Sequence, residues 1–371
     1  MTCNKISNKI SNKTKIKNMG IKNLNQFVRR ECSDAIKNIT LATLSGKVVV
    51  VDASIFMYRF LADDALLENM YTMISLFKLH GIVPVFIFDG KPPDEKRNTL
   101  NRRRHLKHVA EMQYNRRLIE GAATTATTTM TTENKAAEEQ WLKIMRRRFI
   151  RISDADFERV WTLMRALGVQ YIVAPGEADA MCAQMVLKRK AYACMSDDTD
   201  LFVYGCSRVL RHMNLMDETV TLYEMSKILN LLGITMTEFR QICVISGTDY
   251  SCGRMHGLTL KNALLLFKQY KKCAHDAEKD GNIFAPDFYT WLHHHANNNN
   301  HTNNNNNNHN NNHDKTLMTR VKFDYDATMT VHNMFDMTTI ATQLPVITSA
   351  MSTNKELLHE VMAHENFIFV E

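Results

Sequence analysis

Four short apolar runs constrain the fold of this chain more than any other feature, because each is followed closely by an acidic residue. The runs cover residues 48–51, 83–88, 171–173 and 191–195. β-Branched and aromatic residues in runs of this length, separated by longer helical stretches, predict buried strands of a largely parallel sheet. The predicted fold class is therefore α/β, with a mostly parallel central sheet flanked by helices.

Seven carboxylates lie at or just beyond the ends of short apolar runs. They are Asp52, Asp89, Glu177, Asp179, Asp198, Asp200 and Asp249. In an open parallel sheet the functional crevice lies beyond the carboxyl ends of the strands, so these acids are expected to meet there. Because like charges repel at close range, such a cluster predicts bound cations. Hard oxygen ligands without histidine or cysteine partners favour Mg²⁺ or Mn²⁺ over zinc.

A simpler interpretation exists for each acid taken alone, because an Asp after a strand is usually a helix N-cap or a turn residue. The spacing of the set favours the metal interpretation. Glu177 and Asp179, like Asp198 and Asp200, are two residues apart in predicted tight loops, where both carboxylates of a pair can face one site.

Positive charge is concentrated in two parts of the chain, which carries a net charge of +7. Residues 1–18 contain five lysines and no acid, and residues 91–151 contain fifteen Lys or Arg against seven Asp or Glu. The second segment includes basic clusters at residues 102–104, 116–117 and 146–148. A basic segment beside an acidic metal site suits a phosphodiester substrate and indicates a metal-dependent nuclease. The alternative is a solvated helical face.

Composition argues against secreted and membrane classes. No apolar stretch approaches the length of a membrane span, and the lysines near the N-terminus are not followed by an apolar signal region. The eight cysteines show no CxxC or paired spacing, which predicts reduced core thiols and neither a disulfide framework nor a zinc site.

Six motifs, in their order and spacing, resemble the flap-endonuclease (XPG-type) family of structure-specific nucleases. The resemblance covers residues 19–275, and a divergent viral member is one interpretation of it. The motifs are Met19-Gly20-Ile21, Val51-Asp52-Ala53-Ser54, Phe88-Asp89-Gly90-Lys91-Pro92-Pro93, Ala174-Pro175-Gly176-Glu177-Ala178-Asp179-Ala180, Ser196-Asp197-Asp198-Thr199-Asp200-Leu201 and Gly247-Thr248-Asp249-Tyr250.

The resemblance implies a PIN-like 5′ nuclease core with a helical arch insertion and a helix-hairpin DNA-binding element. The seven acids match the family's ligands for two Mg²⁺ ions, which Mn²⁺ can replace, and Asp198 is also assigned to catalysis. Lys96 and Arg103 match two basic catalytic residues, and their spacing of seven predicts one helical face. Tyr58 matches an aromatic that stacks on a base, although a half-buried core tyrosine is an equal alternative. Gly20 matches a glycine close to the active site.

Further nucleic-acid contacts are expected from the arch arginines Arg102, Arg104, Arg116 and Arg117, and from Gly257 and Lys261 of the helix hairpin. Two departures from the family pattern stand out. Asp179 occupies a position where cellular members usually have Glu. Thr259 replaces the second glycine of the hairpin turn, where a β-branched residue restricts the backbone, and this puts the duplex grip and a K⁺ site in doubt.

The domain organisation follows from these assignments. The predicted segments are a disordered basic tail (1–18), an N-terminal nuclease region (19–96), a basic helical arch (97–150), an internal nuclease region with the helix hairpin (151–275), a His/Asn-rich low-complexity linker (293–314) and a C-terminal region of unknown role (315–371). Met19 is a candidate start of the family sequence. The arch contains a Thr-rich stretch, residues 124–132, that is not expected to be regular helix in isolation.

The predicted function is hydrolysis of phosphodiesters at 5′ flaps and 5′ ends of DNA in replication and repair. The expected location is the nucleus or a viral replication site, the expected state is a monomer, and no membrane partner or clamp-binding peptide is identified. Three alternatives stay open: a relative that cuts Holliday junctions or bubbles, an RNA-degrading relative, and a non-catalytic nucleic-acid-binding module.

Overall fold

The structure is a computed structural model that describes residues 20–21, 23–125, 132–250, 258–280, 287–298, 323–337, 344–348 and 352–364. The predicted tail (1–18), Met19, Gly257 and the predicted linker beyond Asn298 lie outside these residues. The chain divides into two compact units. The sheet unit comprises Asn38–Ser196, Arg208–Leu222 and Thr342–Glu371, and the helical unit comprises Met1–Lys37, Asp197–Ser207 and Tyr223–Ala341.

A mixed seven-stranded sheet has the order β1-β7-β6-β5-β2-β3-β4. Its strands are β1 (Ile36–Thr40), β2 (Val48–Asp52), β3 (Val83–Phe88), β4 (Gln170–Val173), β5 (Ala193–Met195), β6 (Arg208–Asn214) and β7 (Thr219–Glu224). The four predicted runs coincide with β2, β3, β4 and β5, which confirms the α/β fold class. The prediction succeeds for β2, β3 and β5 because strands buried on both faces are almost continuously apolar. The edge strand β4 is apolar but only partly buried.

Parallel pairing aligns the carboxyl ends of five neighbouring strands, β6, β5, β2, β3 and β4. Strand β2 pairs in parallel with β3 and β5, β3 pairs with β4, and β5 pairs with β6. In this register Asp52 lies level with Ile87, and Val51 lies level with Met195. The residues that follow β2, β3, β4 and β5 therefore leave the sheet at one edge.

The helices connect and cover these strands. In chain order they are α1 (Leu24–Glu31), α2 (Ala53–Ala62), α3 (Leu66–Leu79), α4 (Arg97–Thr125), α5 (Thr132–Arg146), α6 (Asp154–Leu167), α7 (Ala178–Leu187), α8 (Asp200–Val203), α9 (Met225–Leu232), α10 (Met236–Ser246), α11 (Leu260–Lys279), α12 (Phe288–Asn298), α13 (Tyr325–Met334) and α14 (Lys355–His364). The helix predicted to end at Gly168 is α6, and Gly168 adopts φ 64° at its C-cap.

The core of the sheet unit lies between the sheet and helices α2, α3 and α6. Val49 and Val51 of β2 point into it, together with Phe77 of α3 and Leu163 of α6, all of them buried. Each helix contributes residues three or four apart, as an amphipathic helix on a sheet requires. This packing fixes the positions of β2, which ends in Asp52, and of β3, which is followed directly by Asp89.

Two helices occupy the segment predicted as an arch, and of these α4 is strongly basic whereas the acids and bases of α5 balance. Helix α4 runs to Thr125 and α5 begins at Thr132, so both ends of the Thr-rich stretch are helical. The remainder of that stretch, residues 126–131, lies outside the described residues. Tyr114 of α4 packs against Phe149, with 5.2 Å between the ring centroids, just beyond the end of α5.

The C-terminal region, for which the sequence indicated no role, contributes to both units. Residues 344–348 and α14 belong to the sheet unit: Gln170 of β4 donates to Val346 O at 2.8 Å, and Asn354 N donates to Ala166 O at 2.8 Å. Met362 of α14 reaches the buried core. Helix α13 belongs to the helical unit, where it packs against α10 and α12.

Among the described residues, no single helix has the length and apolar character needed to cross a membrane. One pair bent by 82°, Met225–Leu232 with Met236–Ser246, meets the criterion by length and composition only.

Candidate metal centre and nucleic-acid interface

Asp52 stands at the N-cap position of α2, as the simpler interpretation of a post-strand Asp predicts, but its side chain does not cap the helix. The carboxylate accepts a hydrogen bond from Ser196 Oγ at 2.8 Å. Asp52 is 4% exposed. Since Ser196 directly follows β5, this bond ties the carboxyl ends of β2 and β5 together at the predicted sheet edge.

Asp89 follows β3 at the same edge. Its Oδ1 accepts the backbone N–H of Ala178, the first residue of α7, at 2.9 Å. A carboxylate at a helix N-terminus is favoured by the helix dipole. Asp89 is nevertheless exposed, so its carboxylate is accessible from solvent while its position is held.

Glu177 occupies the N-cap position of α7, again without a side-chain capping bond, and Asp179 lies in the first turn. Both residues were predicted to lie in a tight loop. The prediction is wrong for Asp179, which is helical. Glu177 Oε1 accepts a hydrogen bond from Lys96 Nζ at 2.7 Å. Gly90 N donates to Gly176 O at 2.7 Å, and a Cβ on Gly90 would lie 1.9 Å from Ala174 O. Only glycine lets the loops after β3 and β4 approach so closely.

In the helical unit, three acids surround Gly20. The Gly20 N–H donates to Asp249 Oδ2 at 3.2 Å. A Cβ on Gly20 would lie 2.3 Å from Asp198 Oδ1 and 2.7 Å from Asp200 Oδ1. Asp200 N donates to Asp198 Oδ1 at 2.9 Å, and Asp200 is the first residue of α8, although a tight loop was predicted. Asp198 and Asp200 are both buried.

Buried carboxylates are the donor chemistry that a divalent cation requires. Asp179 is a buried carboxylate of the sheet unit, and Asp198 and Asp200 are buried carboxylates of the helical unit, a donor chemistry that fits a divalent metal. Carboxylates are rarely buried without a cation or a paired base. The prediction of a divalent metal site is confirmed at this level, without assigning the ion or its number.

Lys96 and Arg103 do not share one helix as predicted. Lys96 is buried and ends the short 3₁₀ turn Asp94–Lys96, and α4 begins at the next residue. The Pro-Pro pair before Asp94 makes a tighter turn than the α-helical spacing assumed. Arg103 lies on α4 and is partly exposed. The ion pair with Glu177 places Lys96 beside the acids of the sheet edge.

Tyr58 of α2 lies near several predicted site residues. Burial first, and then the Asp89 charge, raise the pKa of its phenol, while Arg103 acts in the opposite direction. Tyr58 is 41% exposed, so part of its surface is open to solvent and part is covered. An exposed ring flanked by an acid and an arginine is suited to stack on a nucleobase.

Lys107 packs against Tyr58 and was not among the residues predicted from the sequence. Its Nζ lies 4.8 Å from the centroid of the Tyr58 ring and donates to Ile150 O at 2.8 Å. Burial, then Arg151 and Arg103, lower its pKa. Its position four residues after Arg103 on α4 was a usable signal, since residues at this spacing share a helical face.

The arch arginines fall into two groups. Arg102 and Arg104 are exposed on α4, and Arg104 contacts Asn101 of its own helix at 3.5 Å. Arg117 instead makes a bidentate pair with Glu138 of α5, at 2.8 Å for each bond, and lies over the Trp141 ring. Arg116 pairs with Glu120. Arg117 is therefore placed to join the two arch helices.

Two arginines at the end of α5 are also paired. Arg146 and Arg147 bind Asp64 and Asp63, which follow α2, at 2.8 Å and 2.7 Å. Part of the positive charge of the arch segment is thus neutralised within the sheet unit. Exposed pairs of this type contribute little stability, on the order of 0–1 kcal/mol each.

At the predicted helix hairpin, Gly257 lies outside the described residues, while Thr259 and Lys261 lie within them. Thr259 is the N-cap of α11, and its Oγ1 accepts the Asn262 N–H at 3.3 Å. Its φ of −94° is ordinary for a β-branched residue, so this departure from glycine is accommodated without strain. Lys261 is exposed in the first turn.

Comparisons with known proteins match the segments that contain the predicted acids. Residues 19–110 match the XPG N-terminal domain and residues 168–249 match the XPG I-region. Flap endonuclease 1 of Glossina morsitans morsitans is 30% identical over 280 residues, which cover 70% of this chain and 69% of that protein. The chain belongs to the XPG-type flap endonuclease family. Flap endonuclease 1 of Xenopus tropicalis is 28% identical over 294 residues, covering 74% of this chain and 72% of that protein.

Solved structures show the same fold as this flap endonuclease family member. The catalytic core of Rad2 in complex with a DNA substrate has a TM-score of 0.63 at 18% identity, covering 94% of this chain and 95% of that chain. Human GEN1 in complex with Holliday junction DNA has a TM-score of 0.57 at 17% identity, and the match covers 93% of this chain and 73% of that chain. The predicted family and the predicted class of structure-specific 5′ nuclease in DNA replication and repair are confirmed.

Proposed function

We propose that this chain hydrolyses phosphodiesters at 5′ flaps and 5′ ends of DNA, using two Mg²⁺ ions held by the seven acids. The observation that carries the proposal is the state of these carboxylates. Asp52 and Glu177 occupy N-cap positions without capping, and Asp198 and Asp200 are buried around a glycine that leaves them room. Neighbouring carboxylates repel one another, and a bound divalent cation stabilises such an arrangement.

The donor set consists of carboxylate oxygens, which suits Mg²⁺ and allows Mn²⁺ to replace it. When bound, two such ions supply an activated water and stabilise the leaving 3′ oxygen. The assignment of all seven acids as ligands is part of the proposal. It rests on the family positions of Asp52, Asp89, Glu177 and Asp249 as well as on the buried Asp179, Asp198 and Asp200.

Lys96 and Arg103 hold the scissile phosphate. Lys96 is a buried cation, fixed by Glu177 at 2.7 Å, so its charge is preorganised beside the acids before substrate binds. Arg103 is partly exposed, and its guanidinium can bind a phosphate in bidentate fashion. Asp198 is proposed as a catalytic residue through its place in the acidic set.

Tyr58 and Lys107 form a platform for the nucleotide next to the cleaved bond. The aromatic face stacks on a base, and the lysine 4.8 Å from its centroid attracts the adjoining phosphate. Gly20, Lys261 and the exposed Arg102 and Arg104 contribute further contacts to the DNA. Arg116 and Arg117 were predicted as DNA contacts, and their ion pairs assign them first to the arch itself.

The proposed partner is DNA carrying a 5′ flap or a free 5′ end, bound by a monomer in the nucleus or at a viral replication site. The test is cleavage of matched DNA flap, RNA flap, bubble and Holliday-junction substrates with and without Mg²⁺. We expect Mg²⁺-dependent cleavage of the DNA flap, abolished by Asp198→Asn while DNA affinity stays within a few-fold. Preference for the RNA flap, or for the junction, would replace the proposal with that alternative. Equal binding with and without Mg²⁺ and no cleavage would leave a binding module.

The arch helices α4 and α5 support a threading route for the single strand. Blocking the 5′ terminus of the flap with a bulky protein before enzyme is added is then expected to stop cleavage. Blocking after the complex has formed is expected to have little effect. Equal rates in both orders of mixing would exclude threading and favour an enzyme of internal junctions.

A further inference from the structure

The segment 323–337 carries no recognisable motif, yet its last buried aromatic lies beside two of the acidic segments. Phe335 follows α13 and is fully buried in the helical unit. Its ring centroid lies 4.9 Å from that of Tyr204 and 5.4 Å from that of Tyr250. The contact with Tyr250 is edge-to-face, with 86° between the ring planes.

Both partners of Phe335 are closely connected to an acid. Tyr204 N donates to Asp200 O at 2.9 Å, so Tyr204 closes the single turn of α8 that starts at Asp200. Tyr250 is the residue after Asp249, whose Oδ2 accepts the Gly20 N–H. Phe335 is therefore wedged between the segments that present Asp200 and Asp249.

Arg240 makes a second link between the same elements. It is buried on α10, the helix that leads into residues 247–249. Its Nε donates to Val203 O, the last carbonyl of α8, at 3.3 Å, and its Nη1 lies 3.5 Å from Asp336 Oδ1. One guanidinium thus connects α8, α10 and the residue that follows Phe335.

Helix α13 is itself held in place, so Phe335 has a rigid support. His332 of α13 shares a hydrogen bond of 3.1 Å with the Tyr289 hydroxyl of α12. Both residues are buried. The Asp324 side chain caps the N-terminus of α13 by accepting the Ala327 N–H at 3.0 Å. A supported aromatic wedge limits movement of the segments it touches, because interiors are close-packed.

We propose that Phe335 and Arg240 are positioning residues of the metal centre, which set Asp200 and Asp249 at the spacing that a divalent cation requires. The inference rests on the proposed function in that these acids hold the metal. Metal ligands tolerate displacements of only about 0.5 Å, whereas a loosened aromatic contact allows more. Residues that orient ligands without touching the metal typically change its affinity by about 10–100-fold when they are altered.

The test compares Phe335→Leu with Phe288→Leu in the full chain. Phe288 is a matched control: it is fully buried in the same unit and packs on Phe267 at 4.9 Å, but its ring contacts are with Phe267, Tyr270, Tyr289 and Trp291. We expect both variants to lose similar thermal stability. Only Phe335→Leu should raise the Mg²⁺ concentration for half-maximal flap cleavage, by about 10-fold at saturating DNA.

A second readout does not depend on turnover. Ca²⁺ binding by calorimetry, without DNA, is expected to weaken by a similar factor in Phe335→Leu and in Arg240→Gln, and to stay unchanged in Phe288→Leu. If Phe335→Leu does not fold, Arg240→Gln carries the same comparison. Identical cation requirements in all three variants and the wild type would overturn the positioning role while leaving the proposed function intact. A wild-type chain that neither binds a divalent cation nor cleaves would overturn the proposed function, and this inference with it.

Discussion

Replacing Gly20 by alanine should damage cleavage far more than it damages the fold. Gly20 has φ +78°, where an alanine costs about 1–2 kcal/mol of strain. Its new Cβ would lie 2.3 Å from Asp198 Oδ1, 2.5 Å from Thr199 Oγ1 and 2.7 Å from Asp200 Oδ1. To restore an ordinary contact, Asp198 Oδ1 must retreat by about 1 Å. A misplacement of this size in a reacting assembly costs about 10²-fold in rate.

The control for backbone strain is Gly233→Ala in the same unit. Gly233 has φ +66°, and a Cβ there meets nothing within 4 Å. Both variants should lose a few degrees in Tm, roughly 2–8 °C. Single-turnover cleavage of a 5′-labelled flap, measured across a Mg²⁺ titration, should fall about 10²-fold in Gly20→Ala only. Equal cleavage by the two variants would refute the argument that Gly20 exists to make room for the two carboxylates.

Three further predictions follow from the arch, the C-terminal segment and a buried histidine. Arg102→Ala should reduce the slope of log DNA affinity against log salt concentration by about 1. Arg117→Ala should leave that slope unchanged but loosen the arch, which hydrogen exchange of α5 would measure. Deleting residues 344–364 should lower the Tm of the sheet unit, because it removes Met362 from the core, and an unchanged melting curve would contradict this. Burial, and then the charge of Arg240, lower the pKa of His332 below its ordinary 6.5. Neutral His332 therefore stabilises the fold above pH 6.5, and this stability is lost as the pH falls through the folded-state pKa. His332→Gln should therefore flatten the fall in Tm below pH 6.5.

The sheet and its acidic edge could be predicted because each strand, and the acid that follows it, is encoded by a short continuous stretch of sequence. Residues 83–88 are a continuous apolar run, and β3 has those bounds. Asp52 and Asp89 then follow from the rule that parallel strands present their carboxyl ends together. The N-cap positions of Asp52 and Glu177 were foreseen as an alternative, but their side chains contact Ser196 and Lys96 instead of capping.

What the sequence could not indicate depends on contacts between distant residues. The partner of Arg117 is Glu138, 21 residues away across an unpatterned Thr-rich stretch, so its bidentate pairing was invisible. Lys96 was placed on a helix because a spacing of seven fits one, whereas the preceding prolines start a 3₁₀ turn. Phe335 carries no motif because its contribution is packing, and packing partners are chosen by the fold and not by sequence proximity.

The hydrogen bonds that hold the acids have a consequence for synthesis of the chain. Ser196 meets Asp52 across 144 residues, Ala178 meets Asp89 across 89, and Gly20 meets Asp249 across 229. Contacts between residues so far apart in the sequence form late in folding, because the long loops between them must close first. A nascent chain on the ribosome that has not yet emerged beyond Asp249 therefore lacks one of the seven acids. A chain that ends before this point is therefore not expected to cut DNA, because it lacks Asp249.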